Sequence, residues 1–553
     1  MHIVLLALSL ILVAAGSGIL ARFMPRIPLP ILQIVIGALL AWLNTPLNIN
    51  LEPDTFMLLF VPPLLFADAW QFPQRELTSL RHPIIALAVG LVLFTVVGAG
   101  FLIHWLVPNL PLAVCFALAA ILSPTDAVAV SAISGKLGIP PRLMHILEGE
   151  SLMNDASALV SLKFAVAAAM TGTFSFGQVS LQFALITLIG ISVGIALAFL
   201  FSTIRRKLID RRGTESSTEI LLVMLMIPFA AYLIAEHLEG SGILAAVSAG
   251  ITINRTELKR YAQTRTRMQM NHFWEILTFL LNAMVFLLLG LQLPDIIGGA
   301  IQVSLNNARS FSPGELVFYV VVISLALMLL RLFWIMGAVY LSRLSSRRRR
   351  SAHVPLSSGI MAVGTVAGIR GTITLAAALS LPLTLPGGEA FPGRDLVIFL
   401  ATGVILFTLL LGSVTLPLLL RRMDKPDDSW RDEEARSARH AAALAAIEAI
   451  ESWYQDAQER HDSELERSVL TEASARMVSY YRNLMTINDK RSSSERHEHD
   501  QRFSREMRLT AIRAERREYY RLRSIHQIDD DTLRRLVREL DLVEMALTSR
   551  VKR

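Results

Sequence analysis

The feature that most constrains this chain is a series of apolar blocks, each roughly 18 to 25 residues long, separated by short polar joints. An α-helix rising about 1.5 Å per residue needs about 20 apolar residues to cross the roughly 30 Å of hydrocarbon in a bilayer. Membrane-spanning strands would alternate apolar and polar positions instead. With 53% of its 553 residues apolar, the chain carries more apolar surface than a soluble domain sustains. The blocks therefore predict a polytopic, all-α membrane protein. The first, Ile3 to Leu20, lacks a basic n-region and runs on into a second block, so it reads as a retained helix rather than a signal peptide. The one cysteine, Cys115, excludes a disulfide framework or a cysteine-based metal site within one chain. The formal charge of +7 does not indicate nucleic acid, because the basic residues gather in short joints at block ends.

Breaks at Pro, Gly and charged clusters give thirteen transmembrane helices, at about 3–21, 27–43, 55–72, 84–107, 112–134, 143–170, 179–204, 217–237, 241–254, 272–292, 314–342, 356–383 and 395–420. The joints alternate in charge. One set carries Arg22 and Arg26, Arg75 and Arg81, Lys136 and Arg142, the cluster Arg205 to Arg212, the cluster Arg255 to Arg267, and Arg343 with Arg347 to Arg350. The other set holds Arg309 and Arg394 alone. The positive-inside bias makes the first set cytoplasmic, so the N-terminus is expected outside and the C-terminus inside. Residues 1–420 then form the transmembrane domain, and 421–553 form a charged helical cytoplasmic tail. Ala441 to Tyr454 and Thr532 to Leu547 have helical spacing there, Asp529 to Thr532 reads as an N-cap, and Arg491 to His499 reads as a linker. A solvated helical tail that packs or dimerises is one reading of this region; a regulatory role with its own partner or ligand is the other.

A charge at bilayer depth costs at least a few kcal/mol, so intramembrane ionisable residues mark function or pairing. The fifth block reads Leu122-Ser-Pro-Thr-Asp-Ala-Val-Ala, with Asp126 two residues after Pro124. Proline removes a backbone donor and disturbs the preceding turn, so the helix should open here and expose carbonyls beside the carboxylate. Hard oxygen ligands with one negative charge suit a cation. The sixth block reads Glu148-Gly-Glu150-Ser151-Leu-Met-Asn154-Asp155-Ala-Ser157. Ser151 with Asp155, and Glu150 with Asn154, are four apart and stack on adjoining faces. Asp155 can then approach Asp126 across a helix pair. Two carboxylates in a dry bundle hold a proton or a cation more readily than neither, and that competition is the basis of exchange.

Arg331 and Arg370, the latter in Gly368-Ile-Arg370-Gly371, are intramembrane cations that need anionic partners. Glu150 and Arg331 are expected to form a structural ion pair, and Arg370 to balance an opened helix between its two glycines. Asp68, after Pro62-Pro63, is a candidate lining of the ion path. Lys163, two turns beyond Asp155, reads as snorkelling to the surface, and His104, Glu236 and His237 as solvated at outer ends. No phosphate-cradling nucleotide loop is present, so ATP is not indicated.

With Ser-Pro-Thr125-Asp126, Glu150-Ser151-x-x-Asn154-Asp155 and Gly-Ile-Arg370-Gly, residues 1 to 420 resemble the NhaP/NHE-type sodium/proton exchangers of the monovalent cation:proton antiporter-1 family. The resemblance implies a homodimer of thirteen-helix protomers with inverted repeats. It implies a core domain at about 84–170 and 314–420, an interface domain at about 1–72 and 179–292, and interrupted helices five and twelve crossing near the ion. It makes Asp155 the main cation and proton carboxylate, with Ser151 and the Thr125 backbone as oxygen ligands to Na+ or K+. Asn154 and Asp126 would shape the site, while Glu150 with Arg331, and Arg370, would hold the core together. An Asn-Asp pair at 154–155 implies one proton per cation, hence electroneutral exchange. Relatives place a span-three carboxylate where this chain has Ala67; Asp68 follows it, turned by about 100° on a helix. The expected protein is thus not an enzyme and uses no cofactor. It is an inner-membrane antiporter serving sodium transport and pH homeostasis. A cation channel or leak pathway, and a non-transporting ion sensor signalling through the tail, are the competing classes.

Overall fold

The computed structural model describes residues 2–24, 27–43, 53–137, 139–171, 176–212, 217–256, 264–306, 312–346, 358–385, 389–423, 429–460, 464–489, 508–522, 536–537 and 539–544. Apart from one isolated bridge between Thr384 and Ala390, its regular structure is helical among those residues. The chain forms two compact units, Met1–Asp424 and Lys425–Arg553.

In the first unit the helices are α1 (His2–Phe23), α2 (Leu29–Trp42), α3 (Pro53–Gln71), α4 (Gln74–Ser79), α5 (Arg81–Leu106), α6 (Leu112–Leu122), α7 (Ala127–Ser134), α8 (Pro141–Thr171) and α9 (Phe176–Arg212). They continue with α10 (Ser217–His237), α11 (Gly242–Arg255), α12 (Thr264–Asn306), α13 (Pro313–Ser346), α14 (Ser358–Val366), α15 (Thr372–Leu379) and α16 (Arg394–Arg421). Every apolar block carries helix. Among the described residues seven helices are long and apolar enough to cross a membrane alone, or eight if α6 and α7, bent by 45° at their break, count as one span.

Local chemistry sets the helix starts. Ser312 and Glu315 form a reciprocal capping box ahead of α13: the Ser312 N–H donates to Glu315 Oε2 at 2.8 Å and the Glu315 N–H to Ser312 Oγ at 3.2 Å. Ser241 caps α11 by accepting the Leu244 N–H at 3.3 Å.

Packing follows the rule for helices in lipid, where close backbone approach replaces hydrophobic drive. On α2 and α12 the approach is so tight that a Cβ on Gly37 would stand 3.0 Å from the Gly290 Cα. Helix α13 shows the resulting division of faces. Leu325, Leu329, Phe333, Met336 and Tyr340 form an exposed stripe suited to lipid, while Ile323, Leu327 and Arg331, four apart, are buried.

The second unit contains α17 (Ser429–Arg460) and α18 (Glu464–Asp489), linked by a Tyr454 Oη to Thr471 Oγ1 hydrogen bond of 2.9 Å. A helix over 508–522 meets the segment near 540 through Arg516, which pairs with Asp541 at 2.7 Å and Glu544 at 2.5 Å. The expected linker Arg491 to His499, the N-cap Asp529 to Thr532, and the basic residues Arg26, Arg309 and Arg347 to Arg350 lie outside the described residues.

Candidate cation site

Two interrupted helices meet at the centre of the first unit. The chain leaves α6 at Leu122 and re-enters helix at Ala127, and it leaves α14 at Val366 and re-enters at Thr372. Each break strands backbone groups that a bilayer cannot satisfy, so each must find partners nearby. The two breaks supply them to each other. The Asp126 N–H donates to the Ile369 carbonyl at 2.8 Å, which joins the extended segments. Arg370, 2% exposed, reaches across to the end of α6, where its Nε donates to the Leu122 carbonyl at 3.0 Å, and its Nη1 donates to the Gly368 carbonyl. The Arg370 N–H in turn donates to Thr408 Oγ1 at 3.3 Å. The partners of its guanidinium are thus backbone carbonyls at the two breaks, where a cation suits the exposed oxygens.

Asp126 performs the opposite service. Its Oδ1 accepts the N–H groups of Val128 at 2.9 Å and Ala129 at 3.0 Å, capping α7. The Ala127 N–H donates to Ser151 Oγ at 3.4 Å. Gly371 passes directly beneath this carboxylate, and any Cβ there would run into it.

A chain of buried polar contacts ties the breaks to α8 and α13. Arg331 grips Glu150 with both terminal nitrogens, Nη1 on Oε1 and Nη2 on Oε2, the latter at 2.7 Å, and its Nε donates to the Gly364 carbonyl at 2.8 Å. Thr125 Oγ1 donates to Glu150 Oε1 at 3.0 Å, and Asn154 Nδ2 donates to Thr125 Oγ1 at 3.0 Å. The Thr125 hydroxyl is therefore a relay between Asn154 and the ion pair, a role the sequence reading did not give it.

Beside this network lies a cavity of about 30 Å³, enough for one or two water-sized occupants. Its polar walls are Asp68, Thr125, Asp126, Ser151, Asp155, Asn282 and Thr374. The structure thus brings Asp126 and Asp155 to one cavity, together with Ser151 and Thr125, while Asn154 stands behind Thr125. Exposure is graded along it: Asp68 is exposed, Asp126 and Ser151 are half-buried, and Asp155 is 3% exposed. Asp155 makes no hydrogen bond or ion pair among the described residues. On α3 the carboxylate at 68 faces the cavity, whereas Ala67 is fully buried in packing.

Two wall residues were missed from sequence. Asn282, an amide within the apolar run Leu280-Leu281-Asn282-Ala283-Met284 of α12, was a signal of the same kind as the carboxylates but weaker. Thr374 gave none, since threonine is common in spanning helices. Lys163 is paired rather than simply snorkelling, its Nζ 3.0 Å from Glu236 Oε2 and 3.2 Å from Oε1. Glu236 is to that extent a partner and not only a solvated end.

Comparison with known proteins agrees with this architecture. A family model described as "sodium/hydrogen exchanger, transmembrane" matches residues 7–422. The chain is 44% identical over 99% of both chains to an uncharacterised Na+/H+ exchanger, YjcE, of Escherichia coli (strain K12). It is 42% identical to a sodium, potassium, lithium and rubidium/H+ antiporter of Bacillus subtilis (strain 168), over 76% of this chain and 62% of that one. In fold it resembles the sodium proton antiporter MjNhaP1 of Methanocaldococcus jannaschii, with a TM-score of 0.54 at 19% identity, covering 76% of this chain and 99% of that one. The chain belongs to the sodium/hydrogen exchanger family.

Proposed function

We propose that the chain is a secondary antiporter that exchanges H+ for Na+ or K+ across the inner membrane, with cation and proton competing for Asp155. The observation that carries this reading is the Asp155 side chain itself. It is almost wholly buried, borders a cavity of ion size, and among the described residues has no cation or donor to balance it. An ionised carboxylate in that position costs several kcal/mol unless a proton or a metal cation neutralises it. Ser151 and Thr125 supply neutral oxygens, Asp126 holds the re-entering helix, and Asp68 lies at the cavity's exposed end as an entry to the path. The names of the related antiporters, which include sodium, potassium, lithium and rubidium, support an alkali cation as the cargo.

The mechanism is alternating access. Residues of about 84–170 and 314–420 form a core that moves against an interface domain of about 1–72 and 179–292, in a homodimer of thirteen-span protomers built from inverted repeats. The N-terminus lies outside and the tail in the cytoplasm, where it takes up a regulatory partner or ligand. Because one carboxylate takes one charge either way, the exchange is electroneutral, one proton per cation.

The test is Asp155→Asn in proteoliposomes loaded with a pH-sensitive dye and challenged with Na+ and then K+. The unaltered protein is expected to move protons in response to cation without net current, and the variant, still inserted and monodisperse, to move none. Cation-driven proton movement persisting in Asp155→Asn would refute the assignment, and a large current would favour a channel.

A further inference from the structure

The cavity is asymmetric, and the asymmetry extends beyond the ion site. Helix α8 leaves the basic joint containing Lys136 and Arg142, so its start is cytoplasmic by the charge bias and its far end is external. Asp155 lies part way along, and Lys163 stands about 12 Å further out at 1.5 Å per residue. Between them the helix is dry: Ala158, Leu159 and Leu162 are buried in the main apolar cluster, which also takes in Ile243 and Val247 of α11. On the other side of Asp155 the walls open past Ser151 and Asp126 to the exposed Asp68, next to the basic joint that holds Arg75 and Arg81. The conformation is thus open inward and sealed outward.

At the outer edge of that seal sits the Lys163–Glu236 pair, joining α8, which carries Asp155, to α10. Glu236 is itself anchored. Its Oε1 accepts the Gly242 N–H at 3.1 Å, which fixes it to the first turn of α11, and the neighbouring Ser241 N–H donates to the Ile186 carbonyl of α9 at 3.1 Å. Lys163 therefore holds on to a clamped group of three helices rather than to a loose side chain. Both side chains are partly accessible, at 57% and 35%.

We infer that the Lys163–Glu236 ion pair is the outer latch of the exchanger: it stabilises the inward-open state and parts once in every cycle. The inference rests on the alternating-access reading above. It assigns α8 to the moving element and α10 with α11 to the stationary one, so the two residues must separate when the cavity turns outward. An accessible pair of this kind biases an equilibrium by about two- to five-fold, enough to tilt the resting state without trapping it.

The experiment uses Lys163→Cys with Glu236→Cys, joined by a short bismaleimide. Cys115, the single native cysteine, is fully buried and does not compete. Linking is expected to abolish exchange, while the unlinked double-cysteine protein exchanges. Transport by the linked protein at the unlinked rate would overturn the latch, and so would an unlinked protein that inserts but exchanges nothing, because a missing latch cannot block. Loss of exchange from the unaltered protein would count instead against the antiporter reading.

A second measurement separates a latch from mere packing. Lys163→Gln or Glu236→Gln should lower the half-saturating cation concentration at the outer face by about two- to five-fold and raise it at the cytoplasmic face. Lys163→Arg, which keeps the cation opposite the anchored Glu236, should leave both values unchanged. Neutral variants with unchanged values at both faces would overturn the proposal.

Discussion

Replacing Glu150 by Gln tests the buried network most directly. The Glu150 and Arg331 side chains are 1% and 2% exposed, and the carboxylate takes two guanidinium hydrogen bonds and the Thr125 hydroxyl. The amide keeps the shape and one acceptor oxygen but leaves the Arg331 charge uncompensated in a dry interior. Breaking a buried pair in this way costs about 3–5 kcal/mol, whereas exchanging both partners for apolar residues of similar volume is close to neutral or better. Glu150→Gln, Glu150→Leu and Arg331→Met should each destabilise the membrane unit by that amount, and Glu150→Leu with Arg331→Met together should cost far less than the sum of those two single effects. The cycle should return a coupling of about 3 kcal/mol or more. At about 1–2 °C per kcal/mol for a unit of this size, each single variant should lower the melting temperature by about 3–10 °C. Gel filtration of detergent-solubilised protein after a heating series reads these shifts. If the single effects simply add in the double variant, to within about 0.5 kcal/mol, the pair does not act as a unit and the reasoning fails.

Two further outcomes follow from the crossing. Asp126→Asn retains an oxygen that can cap α7, whereas Asp126→Ala loses it at about 1 kcal/mol, so the alanine variant should melt lower than the asparagine variant, and equal melting would show that the cap is not used. Gly371→Ala forces a Cβ against the Asp126 carboxylate; an overpacking cost of about 1–3 kcal/mol should leave the protein inserted but lower its exchange rate at least about tenfold, which dye-loaded proteoliposomes would detect.

The sequence exposed those parts of the site that break a membrane rule within one helix. Asp126, Asp155, Glu150, Arg331 and Arg370 are ionisable residues in apolar blocks, and Pro124 and the glycines around Arg370 mark the interruptions, so each could be found before any tertiary contact was known. What joins one helix to another could not. That Arg370 donates to the Leu122 carbonyl, or that the Ile369 carbonyl receives the Asp126 N–H, depends on residues 248 and 243 positions apart meeting at a crossing. Helical rotation explains Asp68: the step of about 100° from Ala67 decides which of two adjacent side chains faces the cavity, and the tilt of α3 in its surroundings, not its sequence, sets that choice. The pairing of Lys163 with Glu236 was hidden for the same reason, since a lysine near a helix end reads alike whether it meets water or a carboxylate on a neighbouring helix.

The crossing of the two broken helices also bears on how a carrier travels without cargo. Asp126 and Arg370 answer the dangling amides and carbonyls of the half-helices with groups belonging to the protein itself, so no visiting ion is needed to keep the junction assembled. An exchanger must make one leg of each round trip after its metal has left. In the exchange proposed above, a junction that is electrically self-sufficient would let the carrier complete that leg with nothing aboard but a hydrogen nucleus.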